Sequence, residues 1–303
     1  MDGYLFAMLV LPLAGLAAAF TPGTARRSVW IAAAGNVLAI CLAIPSIYQV
    51  LYTAEIEPVL YWRHPFPATQ IFVVQFGVLS AYFAIPVLLV STFSSIFAIG
   101  AKEQGVPRSS LRVRVGLANG MTALMLLVLI ARNGWLFLIA WECMTLLATI
   151  WMRACSDRNR KSQGEITFLL LSQLSTLCLL AMFYLWQQQT GSFDFLNRVN
   201  SWQTIHWHGY AFPSPPSLLL LLALCGFGTT AGLMPFHFWM LRCYPHLPGH
   251  VVAVFSGGMN MVGFYGILRV ISMLGHQHDS LWNTQWGVIF IMFGLAMAVS
   301  AGL

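Results

Sequence analysis

The stretch GWLFLIAWECMTLLATIWM, residues 134–152, is an unbroken apolar run of membrane-crossing length with one acid, Glu142, near its middle. At a rise of about 1.5 Å per residue, Glu142 lies roughly 12 Å along a helix from Gly134, well inside a hydrocarbon core of about 30 Å. An ionisable group at that depth faces lipid unless protein or water shelters it, which makes Glu142 a functional-site candidate. The plainer alternative is a protonated glutamate hydrogen-bonded within a helix bundle.

The rest of the chain has the same character. Its 303 residues are 58% hydrophobic and only 8% charged, against about 25% charged in a soluble globular domain. The expected fold is therefore all-α, a polytopic membrane helix bundle. Spans read at about 4–20, 29–51, 71–100, 115–131, 134–152, 166–186, 217–239, 250–274 and 281–303, about nine in all. The first span starts Met-Asp with no basic region and no convincing cleavage site, and reads as a retained helix.

The net charge of +6 does not point to nucleic acid, because the basic residues fall in short loops. After the first, third, fifth and seventh spans come Arg26 and Arg27; Lys102, Arg108, Arg112 and Arg114; Arg153, Arg158, Arg160 and Lys161; and Arg242. The other loops hold Arg63, Arg132, Arg198 and Arg269 with most of the acids, Asp194 among them. The positive-inside rule then places the N-terminus outside the cell and the arginine-rich loops in the cytoplasm, in a multi-pass inner (plasma) membrane protein.

The six cysteines lie mostly in apolar spans without C-x-x-C spacing and read as small core residues. No phosphate loop, dinucleotide fingerprint or haem or iron–sulfur ligand spacing occurs, so no cofactor is expected in this chain. His206 and His208 sit beside Trp202 and Trp207 in the long loop 187–216, where an aromatic belt explains them better than a metal.

The seventh span is the irregular one. Gly226, Gly228, Thr229, Thr230, Gly232 and Pro235 fall within it, which predicts a broken helix of the kind that exposes backbone groups inside a membrane. Pro86 is expected to kink the third span. The eighth carries Ser256, Gly257, Gly258, Gly263 and Gly266, which allow close helix packing, and Asn260, whose amide needs partners in a bilayer.

These stretches together resemble one family, the antiporter-like subunits of respiratory complex I, of membrane-bound hydrogenases such as formate hydrogenlyase, and of multisubunit Na+/H+ antiporters. Trp141-Glu142-Cys143-Met144-Thr145-Leu146 resembles the family's W-E-x-M-[ST]-L. GFGTTAGLMPFHFWMLRCYPHLPGH followed by SGGMNMVGFYGILRV resembles G-F-x-x-K-A-G-x-x-P-x-H-x-W-L-P…H-P…P-S-H…S-G…K-x-G-x-Y-G-x-L-R. His237, Trp239, Pro245, Pro248, His250, Ser256, Gly257, Gly263, Tyr265, Gly266 and Arg269 fall in register. The segment TGSFDF is most similar to the hydrogenase-type branch.

The resemblance implies proton transfer through Glu142 and lysines on the seventh and eighth spans. Here Thr230 and Met261 stand in the two lysine positions, and neither carries a proton as a cation. Leu241, Tyr244 and Gly249 depart from the family's proline, histidine and serine, and Gln173 stands where relatives often have a basic residue. The resemblance also implies a division into N-terminal helices 1–114, a five-helix repeat over 115–274 and the start of a ninth helix over 275–303, without the family's second, inverted repeat.

The expected role is a membrane subunit, not itself catalytic, of a redox-driven ion-pumping hydrogenase or NADH dehydrogenase complex. Its partners would be the other membrane and peripheral subunits, lipid, and protons, with Na+ the other candidate ion. Glu142, His237, His250, Thr229, Thr230, Asn260 and Tyr265 are the candidate ion-translocation residues. Histidine titrates near neutrality and can stand in for lysine as a carrier. The competing readings are a non-conducting scaffold derived from the same fold and a stand-alone secondary transporter.

Overall fold

The computed structural model describes residues 9–17, 25–53, 60–63, 71–100, 108–156, 164–194, 206–207, 210–211, 215–275, 286–292, 294–295 and 297–298. Helices dominate them. After helical residues 9–17 (α1) come α2 (Ala25–Thr53), α3 (Val78–Gly100), α4 (Arg108–Ile130), α5 (Gly134–Cys155), α6 (Gly164–Thr190) and α7 (Pro215–Ala231). The short α8 (Phe238–Cys243) and a 3-10 turn (Tyr244–His246) lead into α9 (Gly249–Val254), a π turn (Phe255–Met259) and α10 (Asn260–Gly275). Six stretches among the described residues are long and apolar enough to cross a membrane, and α7 is a shorter apolar helix. The first and ninth expected spans fall partly outside these residues; 9–17 and most of 286–298 are helical.

The third span begins later than its hydropathy suggests. Ile71–Val74 is a strand (β2) paired antiparallel with Leu60–Arg63 (β1), and the helix starts only at Val78. Ile71, Val73 and Val74 are β-branched and favour an extended backbone. Gln75 N–H also donates to Ile130 O at 2.8 Å, tying the strand to the end of α4. A second two-residue hairpin pairs His206–Trp207 (β3) with Tyr210–Ala211 (β4); the side chains of the Trp/His cluster lie outside the described residues. Helix α3 runs through Pro86 without interruption.

Helices α4, α5, α6, α7 and α10 pack in sequence and close on one another, with α3 and then α2 added against α4. The ring is filled by large apolar side chains. Phe137 and Trp141 of α5 meet Phe227 of α7 edge-on with centroids 5.7 and 5.1 Å away, and Phe183 of α6 lies 5.7 Å from Phe137. Offset and edge-to-face contacts of this kind add to the packing that drives helix association in lipid. On α10, a Cβ at Gly266 would come 2.4 Å from the Phe227 ring, and one at Gly263 would come 2.5 Å from Ala231 N. Only glycine permits that approach of α10 to α7.

The cysteines divide. Cys155 and Cys243 are buried, Cys178 and Cys225 half-buried, while Cys41 and Cys143 lie on the outer surface, so the core role expected of all six holds for only part of them. Ile139, Ile150, Leu170, Leu177 and Tyr184 are each more than half exposed, an apolar exterior suited to lipid or to a neighbouring subunit.

Polar ties collect at the two ends of the bundle. At one, Arg132 Nε meets Asp194 Oδ1 at 2.9 Å, Asn133 caps α5 by accepting from Trp135 N–H, and Gly134 N–H donates to Phe193 O. At the other, Arg114 Nε donates to Ala154 O at 2.7 Å and Arg153 faces Glu165. The second is the end from which the arginine-rich loops emerge.

Candidate functional site

Helix α5 presents Glu142 between the buried Trp141 and the outward-facing Cys143, so its carboxylate reaches sideways toward α6. There it has two partners. Gln173 Nε2 donates to Glu142 Oε1 at 2.7 Å, and Thr176 Oγ1 donates to Oε2 at 2.6 Å. All three side chains are half-buried, and Ile139, Leu146, Leu174 and Leu177 beside them are exposed. The carboxylate therefore sits in a seam between two helices that borders the outer surface of the bundle.

The chemistry of those partners matters. Both are amphoteric: an amide turned over presents its oxygen, and a hydroxyl rotates to accept. They can bond a carboxylate as donors or a carboxylic acid as acceptors without moving either helix. A lysine ammonium, with three donors and no acceptor, could serve only the anion.

The break in the seventh span is a second, separate polar region. Helix α7 ends at Ala231, Gly232 takes a positive φ of 73°, and the chain resumes a helix at Phe238. Thr229 Oγ1 donates back to Cys225 O, and Thr229 O accepts the indole N–H of the buried Trp239 at 2.9 Å. Thr230 is fully buried and its hydroxyl has no partner. Opposite, in the π turn, the Phe255 carbonyl accepts the backbone N–H of Asn260, five residues on. In the amide orientation that fits its surroundings, Asn260 Nδ2 donates to Thr230 O at 3.0 Å and Phe255 O at 3.1 Å. The Tyr244 hydroxyl is buried without a hydrogen-bond partner. One amide thus joins the end of α7 to the π turn.

The remaining candidates are dispersed. His237 begins α8, half-buried, with a buried Nδ1 that has no partner. His250 lies at the basic end, its ring 5.6 Å from Phe97 and its carbonyl accepting from Ser94, beside a cavity lined also by Ser95, Arg114 and Trp151. Tyr265 is buried, donates to Leu129 O at 2.8 Å and lies 3.3 Å from the Ser80 hydroxyl. The structure thus brings Thr229, Thr230 and Asn260 together around the break, and sets Glu142 with Gln173 and Thr176. No His/Cys/Asp/Glu group among the described residues could hold a metal ion.

Sequence reasoning left two members aside. Thr176 is one helical turn from Gln173 on the same face, and that periodicity was the available signal. Trp239 looks like a motif residue, but its contribution is visible only in the bond to Thr229 and its packing 4.6 Å from Phe168.

A family model described as NADH:quinone oxidoreductase/Mrp antiporter, transmembrane, matches residues 131–303. The chain is 26% identical over 295 residues to hydrogenase-4 component B of Escherichia coli K12, covering 97% of this chain and 42% of that protein. It is 28% identical over 232 residues to formate hydrogenlyase subunit 3 of the same organism, covering 76% and 34%. Its fold is similar to a chain of the membrane-bound sulfane sulfur reductase, an archaeal respiratory membrane complex, with TM-score 0.68, 18% identity and coverage of 89% and 41%. The chain spans less than half the length of these relatives.

Proposed function

Because the chain belongs to the NADH:quinone oxidoreductase/Mrp antiporter family of membrane subunits, we propose that it works in the membrane arm of a redox-driven, ion-pumping complex of the hydrogenase or NADH dehydrogenase type. Its task there is to move protons through Glu142. The observation that carries this reading is the pair of amphoteric partners, Gln173 and Thr176, one on each carboxylate oxygen. They accommodate the group in both protonation states, as a relay requires.

Glu142 is only half-buried and borders an apolar surface. A carboxylate in that position has to be screened from lipid by protein, so a neighbouring membrane subunit lies against the α5–α6 face. The partners are then the other subunits of the complex, and the redox chemistry resides in them. The charge distribution over the loops supports an N-terminus outside the cell membrane, and the ring from α4 to α10 supports residues 115–274 as the five-helix repeat.

A second reading, a scaffold that no longer conducts, is favoured by Thr230 and Met261 in the lysine positions. One experiment separates the two. The intact complex, purified with this chain and reconstituted in proteoliposomes, is assayed for protons moved per electron pair with wild-type and Glu142→Gln chains. The relay predicts unchanged electron transfer with fewer protons moved; equal pumping by both selects the scaffold.

A further inference from the structure

Glu165 takes no part in the site described above, yet it is more deeply buried than Glu142 in the α5–α6 pair. It lies in the first turn of α6 with its side chain 6% exposed, and its Oε1 is buried without a partner. Its Oε2 is 3.6 Å from Arg153 Nη1, and that arginine side chain is 73% exposed. An acid in a helix's first turn is ordinarily solvated and favoured by the helix dipole. Withdrawn from water with one oxygen idle, Glu165 needs a different explanation.

The register of the two helices supplies it. Arg153 faces Glu165 at the basic end, and Glu142 faces Thr176 in the same antiparallel alignment, 11 positions further along each helix, about 16 Å. On α5 the residues between are Thr145 and Thr149, three and seven positions after Glu142 and so on its face of the helix. On α6 they are Ser172 and Gln173. Thr149 donates to Thr145 O, Thr145 to Glu142 O and Ser172 to Leu169 O. Each hydroxyl hydrogen is spent on its own helix, which leaves oxygen lone pairs free to solvate water or hydronium. Between their ends, the outward faces of these helices are apolar.

We propose that Glu165 takes up protons at the basic end of the bundle and loads them into a polar seam between α5 and α6 that delivers them to Glu142. The Glu165 carboxylate accepts a proton from hydronium at the mouth. It releases that proton to water held along Thr149, Thr145 and Ser172, and the Glu142 carboxylate receives it; no covalent bond other than O–H forms or breaks. Among the described residues, the charged and titratable groups facing Glu165 are Arg153 of α5 and, from α8, Cys243, whose sulfur packs against Gly164, with Arg242 bonded to Thr167 two residues on. Burial pushes the Cys243 thiol up to about 12, and the nearby Glu165 adds to this, so Cys243 stays neutral and does not compete for the proton.

The inference rests on Glu142 being an ion-translocating residue, and its test keeps the two apart. Proteoliposomes containing the intact complex, in Na+-free potassium buffer with a pH-sensitive dye, are compared for wild type, Glu142→Gln, Glu165→Gln and Glu165→Asp. Glu165→Gln is expected to lose the same share of pumped protons as Glu142→Gln near neutral pH. Its uptake becomes proportional to external proton concentration, about tenfold per pH unit, because the buffering group at the mouth is gone. Glu165→Asp restores the flat wild-type profile. A merely structural ion pair would not move that profile. Wild-type pumping by Glu165→Gln while Glu142→Gln is impaired overturns the seam and leaves the proposed function standing; wild-type pumping by Glu142→Gln removes both. Should Glu165→Gln fail to assemble, Thr149→Val decides, with a loss of pumping expected and wild-type pumping contradicting the proposal.

Discussion

The α5–α6 seam and the break in the seventh span both place polar groups inside the membrane, and they are built on opposite lines. In the seam, a titratable carboxylate is held by side chains that can reverse their hydrogen bonds, beside an open flank. At the break, no charged group stands at the lysine position, the freed carbonyls are taken by Trp239 and Asn260, and Thr230 is sealed in with its hydroxyl idle. A region with reversible partners can cycle between protonation states. One whose backbone groups are bonded to a buried indole and amide is a joint. Under the proposed function, interrupted helices and chemistry do not coincide: the interruption ties the bundle together and the proton chemistry is assigned to the neighbouring helix pair.

The largest effect is expected at Trp239. It is fully buried, bonds Thr229 O and packs on Phe168, so Trp239→Ala should cost about 3–5 kcal/mol. Thermal or denaturant unfolding in detergent micelles will show it as a large loss of stability; a shift within error would mean the break is held by something else. Asn260→Leu comes next. It removes one bond across to Thr230 O on α7 and one back to Phe255 O in its own span, worth about 1 kcal/mol in total at membrane sites. Proton pumping should survive it, and a pumping loss beyond the stability loss would make the joint part of the path. The smallest effect has the opposite sign. Thr230→Val removes an unpartnered buried hydroxyl for a methyl of the same shape, and should be neutral or stabilise by up to about 1 kcal/mol. A clear destabilisation would show that the hydroxyl has work to do.

Much of this architecture is legible in the sequence. Glu142 stands out as the one acid in the 19-residue run 134–152, and the break in the seventh span follows from three glycines, two threonines and a proline. The strand at Ile71–Val74 was misread as helix because hydropathy does not distinguish an apolar strand from an apolar helix. A third span of 30 residues was nonetheless longer than a bilayer needs. Gln173 is visible in sequence only as a departure from a pattern and Thr176 only through its spacing from Gln173, because a side chain's partner on another helix depends on register. Glu165 was hidden for the same reason. In sequence it is an ordinary first-turn acid after a basic loop; its burial comes from Cys243 and Gly164 packing beside it, residues almost 80 positions apart.

The most direct measurement sets the two regions against each other in one complex: protons moved per electron pair in proteoliposomes carrying Glu142→Gln or Thr230→Val. The seam account predicts that Glu142→Gln lowers the ratio with electron transfer intact, while Thr230→Val matches wild type. A normal ratio for Glu142→Gln together with a lowered one for Thr230→Val would move the working site to the broken helix and contradict the account.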